Sequence, residues 1–517
     1  MTSIWLDHKE PFVSDPFEPD TTYDTVVAGA GLTGLVTALL LSRAGHRVLV
    51  LEARYPGAVT TGNTTAKVTL LQGTFLSQLA RQYPAKQVQA YVDANREGQA
   101  WLLRYLDDHG VPYQRRDAYT YAATAQATEK LRAEVSAATT AGLDVEYVRD
   151  AGLPFAIHGA ARLADQAQIH PLLVLDSLVA DIRSRGGSVV AGVRLRDVTG
   201  AAPAAVRTDK GSVRADRVVL ATGIPVLDRG LYFAKLTPSR SYAAALELPG
   251  GQEPPAGMYI SVEQPTHSLR DFEQDGRRLL LVGGHGHHVG RTGSEKEHLA
   301  GLLDWTRQHW PGAAATHTWS AQDYLPTNLM PFFGKLPRGK GNIYFGTGYN
   351  KWGMTNAVAA ALDISADILG GNVPWAKTIH HRVTAPAGAL SAVALNAGVA
   401  ARLATGWGTL AAEGLKTEGG KALKRDGGPS AAPPSSPPVP AEGTGTVYRD
   451  GTRPVAASTV DGTTCRLSAV CTHLGGILHW NDSERSWDCP LHGSRFSSDG
   501  TLLEGPATRN LPQAGKD

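Results

Sequence analysis

The sequence predicts an α/β fold followed, after a proline-rich spacer, by a small all-β module. Three observations carry this expectation. Residues 22 to about 385 alternate apolar strand-like runs with helical stretches. The first of those runs leads straight into a glycine-rich turn and a helix. After residue 445 short alternating runs return between turn residues, and two of the three cysteines there each have a histidine close behind. At 517 residues the chain is also too long for one ordinary core.

Composition narrows the class before any motif is read. Hydrophobic content of 42% and charged content of 19% suit a globular chain rather than a disordered or membrane-embedded one. A net charge of +2 gives no electrostatic reason to expect nucleic acid, and the basic run 421–425 reads as a solubilising part of the spacer. The opening MTSIWLDHKEPF lacks the cationic and apolar regions of a secretory signal. No cysteine precedes Cys465, which excludes a disulfide scaffold and suits a reducing cytosol. A cytoplasmic chain with no membrane span is therefore expected; the Ala/Gly-rich stretch 389–412 is broken by Asn396 and Arg402.

The first ordered element is YDTVVAGAGLTGLVTALLLSRAGHRVLVLEA. A strand ending at Ala28 runs into Gly29-x-Gly31-x-x-Gly34, and Leu35, Ala38, Leu39 and Ser42 mark one face of a helix. A second strand, 48–51, ends in Glu52. Glycines here permit a tight turn and let backbone N–H groups approach a pyrophosphate, with the positive end of the helix dipole behind them. Glu52 is spaced to accept from a ribose hydroxyl, and its charge disfavours a 2′-phosphate. The expected dinucleotide contacts are Gly29, Gly31, Leu32, Thr33, Gly34, Glu52 and Ala53.

Two later segments extend the pattern. ADRVVLATGIP (215–225) is an apolar strand ending in Ala221-Thr222-Gly223, preceded by a hairpin turn at 209–211. GNIYFGTGYNKWGMTNAVAAALDISADIL (341–369) reads as strand, glycine-rich turn and long helix. In this order the segments resemble the D-amino-acid oxidase-like (glycine oxidase/sarcosine oxidase) family of FAD-dependent oxidoreductases over roughly residues 20–380. The resemblance implies an α/β FAD-binding Rossmann-like domain with an inserted α+β substrate domain within 1–388. FAD-binding segments are expected at about 22–80, 160–235 and 325–385, and the substrate domain at about 85–160 and 236–324. It further implies cofactor contacts at Thr64, Thr65 and Lys67 of TTGNTTAKVTL (60–70), with Lys67 at the flavin pyrimidine, although a Thr-rich strand start is the plainer reading of that stretch. Val193, Thr222, Gly223, Gly348, Gly353, Met354 and Thr355 complete the implied cofactor set. No second GxGxxG occurs, which argues against NADH as electron source, and the lack of early cysteines excludes a cysteinyl-flavin bond in this domain.

Candidate substrate-side residues are Arg240 and Tyr242 of SRSY, Arg270 of HSLR, His285 or His288 of the His-rich loop 283–291, and Lys351 and Trp352. The arginines suit bidentate pairing with a carboxylate; an exposed surface position is the alternative for each.

Residues 389–415 read as a helical connector, 416–445 as a Pro/Gly/Ser linker with polyproline character, and 446–517 as the β module. Its AVCTHLGGILHWNDSERSWDCPLHGSRF (469–496) holds Cys471-x-His473, fifteen residues, then Cys489-x-x-His492. Several metals compete for such ligands, but zinc sites more often pair them as CxxC or HxxxH. The spacing matches the Rieske pattern, which implies a [2Fe–2S] cluster with Cys471 and Cys489 on one iron and His473 and His492 on the other. Together the two halves resemble bacterial FAD-dependent oxidoreductases carrying a Rieske domain. Positions where some Rieske relatives place a disulfide are Gly476 and Leu491, so looser, more exposed cluster loops are expected, with Cys465 a core residue. Ser494 is retained, but a tyrosine often found two residues later is Phe496. The implied activity is oxidation of a small amine or amino-acid-like substrate by hydride transfer to flavin N5, with electrons relayed singly through the cluster to an unknown redox partner. An electron-transfer or redox-sensing protein is the alternative.

Overall fold

The computed structural model describes residues 1–7, 9–274, 276–382, 386–418 and 438–514. The basic run 421–425 and most of the proline-rich stretch lie outside the described residues. The chain forms two compact units, one of 1–287 and 297–392, the other of 288–296 and 393–517.

The first unit is built on two sheets. Five parallel strands form the centre of an eight-stranded sheet, in the order Ile343–Thr347, Ser212–Leu220, Thr22–Ala28, Val48–Glu52 and Ser188–Ala191. Their apolar runs are covered on both faces, as parallel strands require. Val27, Val50, Val189 and Val219 point into a core shared with the helices Leu32–Arg43, Pro171–Ser184 and Gly353–Ile368. The alternate residues Val26, Leu49, Leu51, Val190 and Val218 pack with Leu195, Val198 and Val206 of a β-hairpin on the other face.

The glycine-rich turn opens the helix Leu32–Arg43. One buried face is expected from its sequence; the structure buries Leu32–Leu39, Leu41 and Ser42. Contact with the sheet, the helix Pro171–Ser184 and the helix Gly353–Ile368 accounts for the difference.

The second sheet has nine strands. Its main path is Ala314–Pro326, Leu236–Glu247, Arg277–His288, His267–Gln274, Met258–Ser261, Tyr113–Ala122, Gly159–Ile169 and Lys67–Val68. Gly159–Ile169 and Lys67–Val68, which fall largely within the segments expected to bind cofactor, are strands of this sheet. The supposed His-rich loop also forms the end of the strand Arg277–His288. Strand alternation decides what the sheet presents: Ala243 and Ala245 face the main core, while Tyr242, Ala244 and Leu246 face a second cluster with Leu302 and Trp310.

In the second unit a three-stranded sheet (Gly445–Asp450, Arg453–Val460, Thr463–Ser468) and a four-stranded sheet (His479–Asn481, Ser486–Asp488, Arg495–Ser497, Leu502–Glu504) enclose Ala456, Leu467, Trp487 and Phe496. The helix Pro386–Glu418 is longer than the expected 389–415, and its Val399 packs on this core. Cys465 is half-buried on the strand Thr463–Ser468 rather than in the core. Among the described residues no helix is long and apolar enough to cross a membrane.

Candidate functional site

The cradle is defined by how closely its backbones approach. A Cβ on Gly29, whose φ is +107°, would stand 2.3 Å from the Ala221 carbonyl oxygen, and one on Gly34 would stand 1.9 Å from the Gly29 oxygen. No side chain fits at either place, so the ends of two parallel strands and the helix start meet backbone to backbone. Gly31 is the helix N-cap and supplies no side-chain cap, while the Leu32 N–H donates to Thr61 Oγ1 at 3.3 Å. Glu52 accepts from the Ala30 N–H and the Arg54 N–H, each at 2.9 Å. Burial pushes its pKa up, and those two hydrogen bonds with the Arg194 and Arg54 charges oppose the rise. Ala53 lies between the two residues bonded here, and the Val193 N–H donates to the Glu52 carbonyl at 2.9 Å.

Three segments distant in sequence converge on this cradle. Thr33 Oγ1 and Tyr349 Oη lie 2.9 Å apart, and Thr347 Oγ1 donates to the Gly223 carbonyl at 2.5 Å. Thr222 turns its hydroxyl to the Ile224 carbonyl at 2.6 Å. Gly348 and the start of the helix Gly353–Ile368 follow, with Met354 buried. Thr355 is committed elsewhere: its hydroxyl donates to Asn95 at 2.5 Å in a buried network with Gln72, Tyr91 and Asn356.

On one face of the nine-stranded sheet, Lys351 Nζ donates to Ser241 Oγ at 2.8 Å, and a Cβ on Gly286 would meet both. Asp323 holds this turn by accepting from the Lys351 N–H and, at 2.7 Å, from the Tyr324 N–H. Burial raises the Asp323 pKa to about 6 against those bonds and the Lys351 charge. Crowding by protein lowers the Lys351 pKa although its side chain is exposed, and Asp323 resists that fall. Thr65 lies on the same face, its methyl 3.3 Å from where a Gly283 Cβ would be, and Thr64 accepts from the Ala66 N–H. Trp352 caps the helix that follows Lys351.

Several expected site residues serve other purposes. Arg270 is buried and gives its guanidinium to the carbonyls of Thr65, Ala66, Ile169 and Asp271, so it is not presented to a substrate carboxylate. Burial pulls its pKa down to about 9. Lys67 donates to the Tyr259 carbonyl at 2.7 Å and to Ser268 Oγ. Arg240 is buried on Ser320 and Gln322. Tyr242 and His285 lie on the sheet face away from Lys351: Tyr242 Oη meets His287 Nε2 at 3.2 Å, and His285 packs against Gly301 while its Nε2 lies 3.2 Å from that of His267. His288 is exposed at the strand's end. Of the seven substrate-side candidates, Lys351 and Trp352 stand at the turn before the helix Gly353–Ile368.

In the second unit two matching turns carry the four metal-ligand candidates. The Cys471 N–H donates to the Gly476 carbonyl and the Cys471 carbonyl accepts from the Gly475 N–H; Cys489 makes the same pair of bonds with Ser494 and Gly493. The His473 and His492 rings lie 5.2 Å apart, nearly perpendicular. Two thiols and two imidazoles from paired turns fit a two-iron centre, each iron taking a like pair. Cys471, Cys489 and His492 are each no more than 3% exposed, while His473 is half-buried and Leu474 is exposed, so the expected exposure is confined to the tip of the first turn. The turns pack together where the disulfide is absent: a Cβ on Gly476 would stand 2.7 Å from Leu491 Cγ and Cδ1, so Leu491 fills the space between the loops. Trp407 of the long helix adds support by donating its indole N–H to the Gly475 carbonyl at 3.1 Å. Ser494 accepts from the Ala507 N–H at 3.0 Å. With Phe496 buried and unable to donate, redox titration is expected to place the centre below respiratory-type Rieske potentials.

Comparison with known proteins agrees with both halves. Residues 24–366 match the family described as FAD dependent oxidoreductase. The chain belongs to that family. Residues 435–514 of this oxidoreductase match the Rieske [2Fe-2S] domain, so FAD and a [2Fe–2S] cluster are its cofactors. The oxidoreductase is 30% identical over 505 residues to the Rieske 2Fe-2S iron-sulfur protein YhfW of Bacillus subtilis (strain 168), covering 97% of this chain and 95% of that one. Over a stretch of 45 residues it is 49% identical to the cytochrome b6-f complex iron-sulfur subunit of Synechococcus sp. (strain JA-3-3Ab), which is 9% of this chain and 26% of that protein. In fold it resembles L-proline dehydrogenase from P. horikoshii (TM-score 0.58, 15% identity, 69% of this chain and 96% of that one). Glycine oxidase from Geobacillus kaustophilus is similar to the same degree (TM-score 0.58, 16% identity, 68% and 96%).

Residues that sequence reasoning passed over are Asp323, Ser241, Tyr349 and Trp407. Each acts through a partner between 28 and 316 positions away by number, or at a strand position like any other, and no local spacing marks it.

Proposed function

We propose that this oxidoreductase oxidises a small amine or amino-acid-like substrate and passes the electrons singly through its Rieske centre. FAD supplies acceptance of a hydride, and the cluster supplies one-electron transfer. Cys471 and Cys489 would hold one iron and His473 and His492 the other; the glycine cradle, Glu52 and the segments at 222–223 and 348–354 would hold FAD. The substrate class draws support from names of proteins sharing the fold, L-proline dehydrogenase and glycine oxidase among them.

The observation that carries the reading is the Lys351 turn. Asn350 and Lys351 are both left-handed, with φ of 51° and 70°, a conformation costing about 1–3 kcal/mol for each such residue. Asp323 and Ser241 hold that turn in place. An amine with a lowered pKa, fixed before the cofactor helix, is suited to take a proton from an ammonium substrate or to orient its carboxylate.

Anaerobic flavin bleaching by a panel of amines and amino acids, followed by appearance of the reduced cluster signal, tests the reading. Lys351→Met is expected to lower kcat/KM by roughly 10²-fold or more with flavin content unchanged. If no amine bleaches the flavin while a protein donor reduces it, the chain is an electron-transfer or redox-sensing protein instead.

A further inference from the structure

The segment His288–Lys296 lies in sequence between a strand of the nine-stranded sheet and the helix Glu295–His309, yet it belongs to the unit that carries the cluster turns. Its contacts are specific. A Cβ on Gly290 would meet Pro490 N and Cα at 3.1 Å and the Asp488 oxygen at 3.3 Å, so the two backbones touch. The next residue, Arg291, donates Nε–H to the Pro490 carbonyl at 2.9 Å. Pro490 directly follows Cys489. Further along, the Asp482 carboxylate accepts from Ser294 Oγ at 2.7 Å, the Glu295 N–H at 2.9 Å and the Lys296 N–H at 3.0 Å. Buried Glu295 also lies 3.6 Å from His479 Nε2. The segment is thus pinned on both sides of Arg291, which cannot drift from the second turn without breaking these bonds.

We propose that Arg291 is a positioning residue of the cluster, and that its charge beside Cys489 raises the reduction potential of the centre. The proposal rests on the Rieske reading above. Taking up one electron adds one negative charge to the centre, and a fixed cation nearby stabilises the reduced form more than the oxidised one. Burial lowers the Arg291 pKa, the like charge of Arg402 adds to the fall, and Cys489 opposes it. Half-buried, Arg291 is shielded by less water than a surface arginine. The segment therefore does two things: its backbone closes over Pro490, and its guanidinium sets the electrostatics of the turn.

The test is an EPR-monitored redox titration of the full chain, with iron and sulfide content measured in parallel. Arg291→Gln is expected to keep its iron and to weaken one-electron reduction about tenfold, ~59 mV downward. Arg291→Lys, which keeps the charge, is expected to shift by less than half as much. Arg291→Met takes the place of the glutamine variant if that variant loses iron. An unchanged midpoint in the neutral variant overturns the proposal, as does a lysine variant shifted as far as the neutral one. Loss of iron from both neutral variants with retention in Arg291→Lys also overturns it, leaving a purely structural role. A wild-type chain with no Rieske signal overturns the reading on which it rests, a result distinct from an unmoved midpoint.

Discussion

Gly34→Val yields a chain that binds FAD poorly or not at all. The added Cβ alone would stand 1.9 Å from the Gly29 oxygen and 3.3 Å from the Ala221 side chain. Neither contact can be relieved by a side-chain rotation, because the first is backbone. Relief requires the helix Leu32–Arg43 to move off the strand Thr22–Ala28, and that helix is packed on nearly all sides. Overpacking of this kind costs about 1–3 kcal/mol or more, and spent against the cofactor it weakens binding roughly 10- to 100-fold. Flavin absorbance per chain is the measurement, with iron content as the internal standard. Gly398→Ala, on the long helix with open space around it, is the control expected to keep its flavin. Normal flavin content in Gly34→Val would show that the cradle is not the cofactor's anchor.

The second large effect belongs to the cluster turns. Gly476→Val drives a side chain into Leu491, 2.7 Å away at the Cβ, with Cys489 Sγ at 3.1 Å. The turns must separate, and separation pulls Cys471 and His473 away from Cys489 and His492. Iron content is expected to fall several-fold while flavin is retained. Leu491→Ala alone leaves a hole where a fully buried side chain stood, at a cost of about 2–5 kcal/mol. Gly476→Ala with Leu491→Ala restores part of the lost volume and should recover iron relative to Gly476→Ala alone. Equal iron loss in the double and single variants would mean that the turns are not held by this contact.

What could be read from the sequence was what is local. The cradle sits within thirty residues of chain and each cluster turn within six, so spacing alone exposes their chemistry. Basic residues in an expected binding region look available in sequence, but Arg270 gives its guanidinium to backbone carbonyls and Lys67 its amine to the Tyr259 carbonyl and Ser268. The same limit hid Asp323, which earns its place only through the fold of the strand Ala314–Pro326 beside the Lys351 turn. Tyr242 was lost to strand parity, since one step along a strand exchanges the two faces of the sheet, and His285 to a break in that alternation, its φ of 50° turning it from the face that Leu279 and Leu281 share. The burial of Cys471, Cys489 and His492 was unforeseen because Leu491, Trp407 and Arg291 support the turns where a covalent tie is missing, and motif spacing can report the tie as missing but not as compensated.

The two cluster turns share one hydrogen-bond pattern, each closing on its own cysteine. Under the proposed ligand assignment each turn gives one ligand to each iron, so neither turn owns a metal ion. Half a centre then has no stable holder. Loading is therefore expected to be all-or-none: native mass spectrometry of a preparation short of iron should find filled and empty chains and no population carrying a single ion.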